Sequence, residues 1–236
     1  MTTALHNAVV LVTGANGGLG REFVRQALER GAAKVYAASR SVGDWNDSRV
    51  VPLALDVTDQ DSIDAAVAAA SDTTVVINNA GIYKAVDSLT DGSIDDIRAM
   101  FETNFFGAIQ VTRGFAPTLG VNGGGALINV HSVLSWLGIT GSYSASKAAI
   151  WSATNSFRIE LAGQGTHVLG LHVGYIDTPM TKGLDVPKNE ASAVVAATFD
   201  GLEAREYEVL ADELSANVKA GLAGKIEDLY AGLPRP

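Results

Sequence analysis

Tyr143 and Lys147, four residues apart, are the pair whose types and spacing most directly permit chemistry. On a helix, positions i and i+4 share a face, so an ammonium there can reach the neighbourhood of the phenol. A free tyrosine titrates near about 10, too high for easy proton release at neutral pH. A nearby cation favours the phenolate, so Lys147 is expected to lower the pKa of Tyr143 and make it a proton donor and acceptor. Ser132, directly behind the apolar run Ala126–Val130, offers a hydroxyl that could orient a polarised oxygen. Ser135 is its rival, and the place of Ser132 at the end of the run favours Ser132. A tyrosine and a lysine at this spacing are commonly just a surface pair, so their surroundings decide what they mean.

Other chemistries fall away. His131 stands beside Ser132, but no G-x-S-x-G turn is present to expose a nucleophilic serine. His6, His167 and His172 are scattered without metal-ligand spacing and are expected to be structural or solvated, so no metal is expected. The chain has no cysteine, which excludes thiol catalysis, disulfides and thiolate metal sites.

A proton donor of this kind needs a partner molecule beside it, and Thr13-Gly14-Ala15-Asn16-Gly17-Gly18-Leu19-Gly20 reads as a cradle for one. The stretch follows an apolar run and opens a helical pattern. Such a strand–turn–helix lets backbone approach a pyrophosphate closely and aims helix N–H groups at it. The second strand then ends Ala37-Ala38-Ser39-Arg40, without the carboxylate that would hold a ribose 2′-hydroxyl. Ser39 can donate a hydrogen bond and Arg40 can clamp a phosphate bidentately. The expected cofactor is therefore NADP(H), with NAD(H) as the alternative.

Positioning these groups falls to alternating strands and helices. Strands are predicted at Val9–Thr13, Lys34–Ala38, Val50–Leu55, Thr74–Ile77, Ala126–Val130 and His167–Val173, each nearly continuous in apolar character. Helices are predicted at Arg21–Arg30, Ser62–Ala70, Ser93–Leu119 and Tyr143–Leu161; only about ten residues separate Arg40 from Val50, so a helix there is very short or missing. The alternation predicts an α/β fold, a single Rossmann-type domain with a doubly wound parallel sheet of about seven strands and helices on both faces. Ligands of such sheets sit at the carboxyl ends of the strands where strand order reverses.

Bulk properties agree with one globular domain: 236 residues, 47% hydrophobic and 18% charged, without linker or repeat. A formal charge of -9 argues against nucleic-acid binding. Met1–Asn7 lacks a secretory pattern and no apolar run reaches membrane-spanning length, so a cytoplasmic protein without membrane contact is expected.

From about Ala8 to Met180 the chain resembles the short-chain dehydrogenase/reductase superfamily. The resemblance rests on Thr13-Gly14-x-x-x-Gly18-x-Gly20, Asp56-Val57, Asn78-Asn79-Ala80-Gly81, Asn104, Ser132, Tyr143-x-x-x-Lys147 and Thr178, in that order. It implies a carbonyl reductase, an alcohol dehydrogenase run in reverse, that uses NADPH to reduce a ketone or aldehyde. Tyr143 would be the general acid/base, with Asn104, Ser132 and Lys147 as the other catalytic residues. The alternatives it leaves are an NAD-dependent alcohol or steroid dehydrogenase and a non-catalytic NADP-binding protein.

By the same resemblance, Gly14, Asn16, Gly17, Gly18, Leu19 and Gly20 would line the cofactor's pyrophosphate. Asp56 and Val57 would hold adenine, and Asn79, Ala80 and Gly81 would lie near its ribose. Asn104 would kink the long helix. Lys147, with Tyr143, would hold the nicotinamide ribose, and Gly174, Ile176, Thr178 and Met180 would lie at the nicotinamide end. Pairing through the two long helices into a homodimer or homotetramer is implied as well. Three features depart from the family's pattern: Val173-Gly174 replaces Pro-Gly, the Ser132–Tyr143 interval is two residues short, and the glycine-rich C-terminal ending is lacking.

The expected substrate wall runs through Val133–Ile139, Tyr175 and Met180–Lys188. Leu134, Trp136, Tyr175 and Leu184 make it largely apolar, suited to a small hydrophobic or aromatic carbonyl compound. Residues 180–200 are expected as a short lid, and 206–232 as a C-terminal strand followed by an amphipathic helix broken near Gly221 and Gly224.

Overall fold

Valine, leucine, isoleucine and alanine without polar alternation form strands covered on both faces, and a parallel sheet is what such strands build. In the computed structural model, which describes residues 5–84, 88–230 and 232–233, seven strands pair in parallel in the order β3-β2-β1-β4-β5-β6-β7. They are β1 (Val9–Thr13), β2 (Lys34–Ser39), β3 (Val50–Ala54), β4 (Val75–Asn78), β5 (Ala126–Val130), β6 (His167–His172) and β7 (Glu208–Leu210). The order reverses between β1 and β4, so the crevice for a ligand opens above their carboxyl ends. Pro52 sits in β3, an edge strand, where its missing N–H costs no ladder bond. Of the expected N-terminal stretch Met1–Asn7, the first four residues lie outside the described ones, as does residue 231 of the expected C-terminal helix.

The helices are α1 (Gly18–Glu29), α2 (Gln60–Ala69), α3 (Ile94–Phe101), α4 (Ala108–Val121), α5 (Gly141–Glu160), α6 (Ala191–Glu203), α7 (Glu213–Gly221) and α8 (Ile226–Leu229). They cover both faces of the sheet. Phe23 and Phe199, 5.5 Å apart edge to face, join α1 and α6 over one core layer, while Ile63, Val111 and Phe115 fill the other. No helix joins β2 to β3; instead Trp45 packs against the core from that loop, with the Arg21 guanidinium 4.7 Å from its ring centre.

Two expectations are corrected. The lid does not extend to residue 200: Val194, Val195, Phe199 and Leu202 are buried under α1, so the segment from 191 is a core helix and only the loop before it is free to cover a site. The long helix expected over Ser93–Leu119 is divided by a π-helical turn at Glu102–Gly107. That turn rests on Val57, because a Cβ on Gly107 would lie 2.7 Å from the Val57 Cγ2. Among the described residues no helix is long and apolar enough to cross a membrane.

Candidate active site

Thr13 closes β1, and its hydroxyl accepts from the backbone N–H groups of Asn79 and Ala80, both at 3.0 Å. The Asn79 side chain returns the contact, donating to the Thr13 carbonyl at 2.9 Å. These bonds bind β4 to β1 at the switch point and hold the turn that follows. Gly14 turns with φ +66, where an L side chain is strained. Gly20 is the tightest approach: a Cβ there would lie 2.2 Å from the Gly14 carbonyl oxygen. Gly17 is the N-cap of α1 and no side chain of the described residues caps that end, so its first N–H groups are free for an anion. Gly18 faces Thr178 from the loop after β6, with a Cβ there 3.0 Å from its methyl group. Leu19 is buried, which anchors the turn's far side.

Asn16 ties this turn to the end of β2, donating to the Ser39 hydroxyl at 2.9 Å and the Ser41 carbonyl at 2.5 Å. Ser39 donates in turn to the Ser41 carbonyl at 2.7 Å. The other Asn16 amide atom, Oδ1, is buried without a hydrogen-bond partner among the described residues. Arg40 is exposed beside Asp56. The Thr58 N–H and hydroxyl hold the Asp56 carboxyl below its ordinary range, with the Arg40 charge adding to them. Loop residues Ser41 and Gly43, against which Asn16 packs, escaped the sequence reading, because loops carry no periodicity.

Across the crevice, α5 presents Tyr143 and Lys147 on one face. The Lys147 ammonium is buried, donates to the Val130 carbonyl at 2.9 Å, and lies 5.8 Å from the centre of the Tyr143 ring. Asn104, buried in the π-helical turn, accepts from the Ile82 N–H at 2.8 Å and donates to the Ile82 carbonyl at 3.0 Å and the Ser146 hydroxyl at 3.1 Å. Gly81 sits between them: a Cβ there would lie 3.3 Å from Asn104 Oδ1 and 3.9 Å from Lys147 Nζ. Asn104, Gly81 and Lys147 thus converge beside Tyr143, from three segments distant in sequence.

The electrostatics differ from the expectation. Burial, with a smaller contribution from Tyr83, pushes the Tyr143 phenol up to about 12, and burial pushes the Lys147 ammonium down to about 8. With the protein's own charges alone, desolvation outweighs the attraction of a cation at this distance. The phenol is therefore held protonated, ready as an acid. Tyr83 packs edge to face on Tyr143 with ring centres 5.5 Å apart, and the sequence reading missed it.

Ser132 is the N-cap of a 3-10 turn, Val133–Ser135, and its hydroxyl accepts from the Leu134 N–H at 3.1 Å. Ser135 turns back to accept from the Ser132 N–H at 3.3 Å, which makes it a support for Ser132. Trp136 is corrected as a wall residue. It is buried, stacked on His172 with ring centres 3.9 Å apart and planes at 10°, and edge-on to Trp151. Leu134 and Tyr175 are partly exposed near the crevice, while Met180 and Leu184 are exposed on the short loop after β6.

That loop is held by a residue the sequence reading also missed. Asp212 caps α7 through the Ser215 N–H at 2.8 Å, and its other oxygen accepts from the Gly174 N–H at 2.7 Å and the Asn189 amide at 2.6 Å. Asn189 further pairs with Tyr175, and Ile176 bridges to it as a short parallel contact. The Val173-Gly174 departure is thus braced from the C-terminal region. Its D-E-L-S sequence at a strand end was a readable helix-cap signal. Burial works to raise the Asp212 pKa, but hydrogen bonds from Ser215, Gly174 and Asn189 outweigh it and hold the carboxyl below 3.8. The stabilisation is present above pH 3.8 and is lost as pH falls through the lower folded value. Asp212→Ala is expected to cost about 2–3 kcal/mol from one cap and two charge-assisted bonds, or roughly 5–10 °C in Tm by calorimetry.

The sequence model of the family described as short chain dehydrogenase matches residues 8–189. A crystal structure of a short chain dehydrogenase from Burkholderia cenocepacia in complex with NADP superposes with a TM-score of 0.91 and 37% identity, covering 98% of this chain and 99% of that one. The cis-4-hydroxycyclohexanecarboxylate dehydrogenase of Sinomonas cyclohexanicum is 31% identical, over 89% of this chain and 88% of its own. The ketoacyl reductase HetN of Nostoc sp. is 31% identical, over 83% of this chain and 76% of its own.

Proposed function

This chain belongs to the short-chain dehydrogenase family, and from that premise we propose that it is an NADPH-dependent reductase of hydrophobic ketones or aldehydes, working reversibly. The observation that carries the reading is the convergence of Asn104, Gly81 and Lys147 beside Tyr143 at the switch point of the sheet. The residues present fit a nicotinamide dinucleotide: an uncapped α1 N-terminus for the pyrophosphate, Asn16 with an unpartnered buried oxygen, and Arg40 for a 2′-phosphate. Asp56 and Val57 would flank adenine, Asn79 to Gly81 its ribose, and the loop from Gly174 through Ile176 and Thr178 to Met180 the nicotinamide end.

When bound, a nicotinamide cofactor would supply the hydride that the carbonyl carbon takes up in reduction. As negative charge grows on the substrate oxygen, Tyr143 delivers its phenolic proton there, and Ser132 donates a hydrogen bond that orients the same oxygen. Lys147 would hold the ribose hydroxyls of that cofactor and steady the phenolate left behind. Leu134, Tyr175 and Leu184 supply apolar walls, while Trp136 is stacked away on His172. Pairing through the two long helices belongs to the same proposal, since Phe106 and Val121 at one and Ile159 at the other are exposed apolar residues.

The test is oxidation of NADPH against NADH with a panel of aryl ketones and ketoesters. NADPH should be favoured, and Arg40→Ala should raise its KM by about 10- to 100-fold, the value of a charge-assisted hydrogen bond, with little change for NADH. No turnover of any carbonyl, with nucleotide binding retained, would sink the reductase reading. An advantage for NADH that Arg40→Ala leaves untouched would overturn the cofactor preference alone.

A further inference from the structure

Beneath Ser132 lies a row of buried polar side chains that the proposed chemistry does not use. Asn78 donates to Asn129 Oδ1 at 2.9 Å, and Asn129 donates to Thr154 Oγ1 at 2.9 Å. Thr154 Oγ1 is 2.8 Å from His131 Nε2, His131 Nδ1 is 3.0 Å from His172 Nε2, and His172 Nδ1 is 3.1 Å from the Ser132 carbonyl oxygen. All six residues are buried, with Asn129, Thr154 and His172 at 0% exposure.

The direction of this row follows from its last member. A carbonyl only accepts, so His172 Nδ1 carries a proton. If His172 is neutral, its Nε2 lone pair needs a donor, which is His131 Nδ1–H. His131 Nε2 then accepts from the Thr154 hydroxyl. The competing arrangement sends the Thr154 proton to the Ile150 carbonyl, 2.8 Å away. It leaves two lone pairs facing each other across 3.0 Å, or else makes His172 an imidazolium. Burial opposes the cation, pushing His172 down to about 3 and His131 well below its ordinary range. Charged groups facing the pair are Lys147 and Arg158 on α5, Lys219 on α7 and Glu208 on β7. The Glu208 carboxylate, 3.3 Å from His172 Nε2, is itself paired with Lys219. The neutral, one-way row is therefore the favoured state, and its bonds polarise one another toward Ser132.

We propose that His172 is a positioning residue for Ser132, holding its peptide by Nδ1–H from below and the following turn by stacking on Trp136, with His131 fixing the His172 tautomer. The Ser132 carbonyl also accepts from the Ser135 N–H at 3.0 Å, and the Val133 N–H donates to the Val173 carbonyl at 2.9 Å. The peptide that aims the Ser132 hydroxyl is thereby fixed on both sides. The inference rests on the reading of Ser132 as the group that orients the substrate oxygen.

The full chain is assayed with NADPH and its best ketone as the wild type, His172→Phe, His172→Asn, Ser132→Ala and the double variant Ser132→Ala/His172→Phe. Phenylalanine keeps the stacking and removes the donor; asparagine offers an N–H near the Nδ1 position. His172→Phe should lower kcat by about 10-fold or more with KM changed by less than about 3-fold, as for a misplaced catalytic group. His172→Asn should recover most of that loss. In the Ser132→Ala background His172→Phe should change kcat by less than about 2-fold, because the two act through one contact. Equal losses in both backgrounds, or no loss in either, overturn the proposal. Nitrogen-15 NMR of the wild-type imidazoles is independent of both folding of variants and turnover: it should show His172 as the neutral Nδ1–H tautomer from pH 5.5 to 8. An Nε2–H tautomer or a titration in that window overturns it. If no carbonyl is turned over, the reductase reading fails while the NMR result still decides the histidine row.

Discussion

Tyr143→Phe should lower ketone reduction by about 10²–10⁴-fold, the usual value of a positioned general acid, while the dissociation constant for NADPH changes little. The variant removes one oxygen and its proton and keeps the ring, including its edge-to-face packing on Tyr83. The pH dependence sharpens the test. Because burial holds the phenol at about 12, the Tyr143 proton does not limit wild-type reduction, which should stay flat from pH 6 to about 7.5 and fall above pH 8 as Lys147 loses its charge. Alcohol oxidation, which needs the phenolate, should rise with pH from 6 to 9. Steady-state kinetics in both directions and fluorescence titration of NADPH provide the measurements. Reduction surviving Tyr143→Phe within a factor of ten would remove Tyr143 from the mechanism.

Lys147→Met should do two opposite things. It should abolish activity to a similar extent, since nothing else among the described residues offers an ammonium next to Gly81 and Asn104. It should also stabilise the fold. A buried lysine with its pKa pushed from 10.5 down to about 8 carries a penalty of about 3 kcal/mol on its charged form. Losing the bond to Val130 returns about 1 kcal/mol of that, so a net gain of about 2 kcal/mol, or roughly 4–8 °C in Tm, is expected at pH 7. The sign is set by proton counting: between about 8 and 10.5 the unfolded chain binds the proton more tightly than the folded one, so wild-type stability rises with pH there. The gap between variant and wild type should accordingly be widest below pH 8 and close toward 10.5. Thermal melts from pH 6.5 to 10.5 test this. A destabilised variant at pH 7 would mean that the Val130 contact outweighs desolvation.

The elements were legible where the local pattern was strong. β1, β2 and β5 lie within a residue of their predicted spans, because uninterrupted valine, alanine and isoleucine admit few other structures. Boundaries were less legible. α1 begins at Gly18 inside the glycine turn, where that residue packs closely on Thr178, and α5 begins at Gly141 ahead of Tyr143, where the chain turns with φ +49. The helical character of Ala191–Glu203 was missed because its burial depends on α1, some 170 residues away. The glycine turn, Asn104, Ser132, Tyr143 and Lys147 could be named in advance, whereas Tyr83, the reach of Asp212 to Gly174 and Asn189, and the His131–His172 pair could not. Each of these acts through a contact with a distant segment, and no periodicity or spacing records such a contact.

Residue type and spacing along the chain were enough to establish a parallel α/β sheet, a glycine-rich strand–turn–helix and a tyrosine–lysine pair, because each is a local demand on backbone or helix face. Tertiary structure decided the rest. It buried Lys147 and enclosed the partly exposed Tyr143 enough to reverse the expected direction of the phenol's pKa, since desolvation depends on the whole surrounding shell and not on one neighbour four residues away. It turned Trp136 from the crevice onto His172, and it joined a C-terminal aspartate to the loop after β6. Those are matters of what lies across the sheet, which only the folded chain brings together.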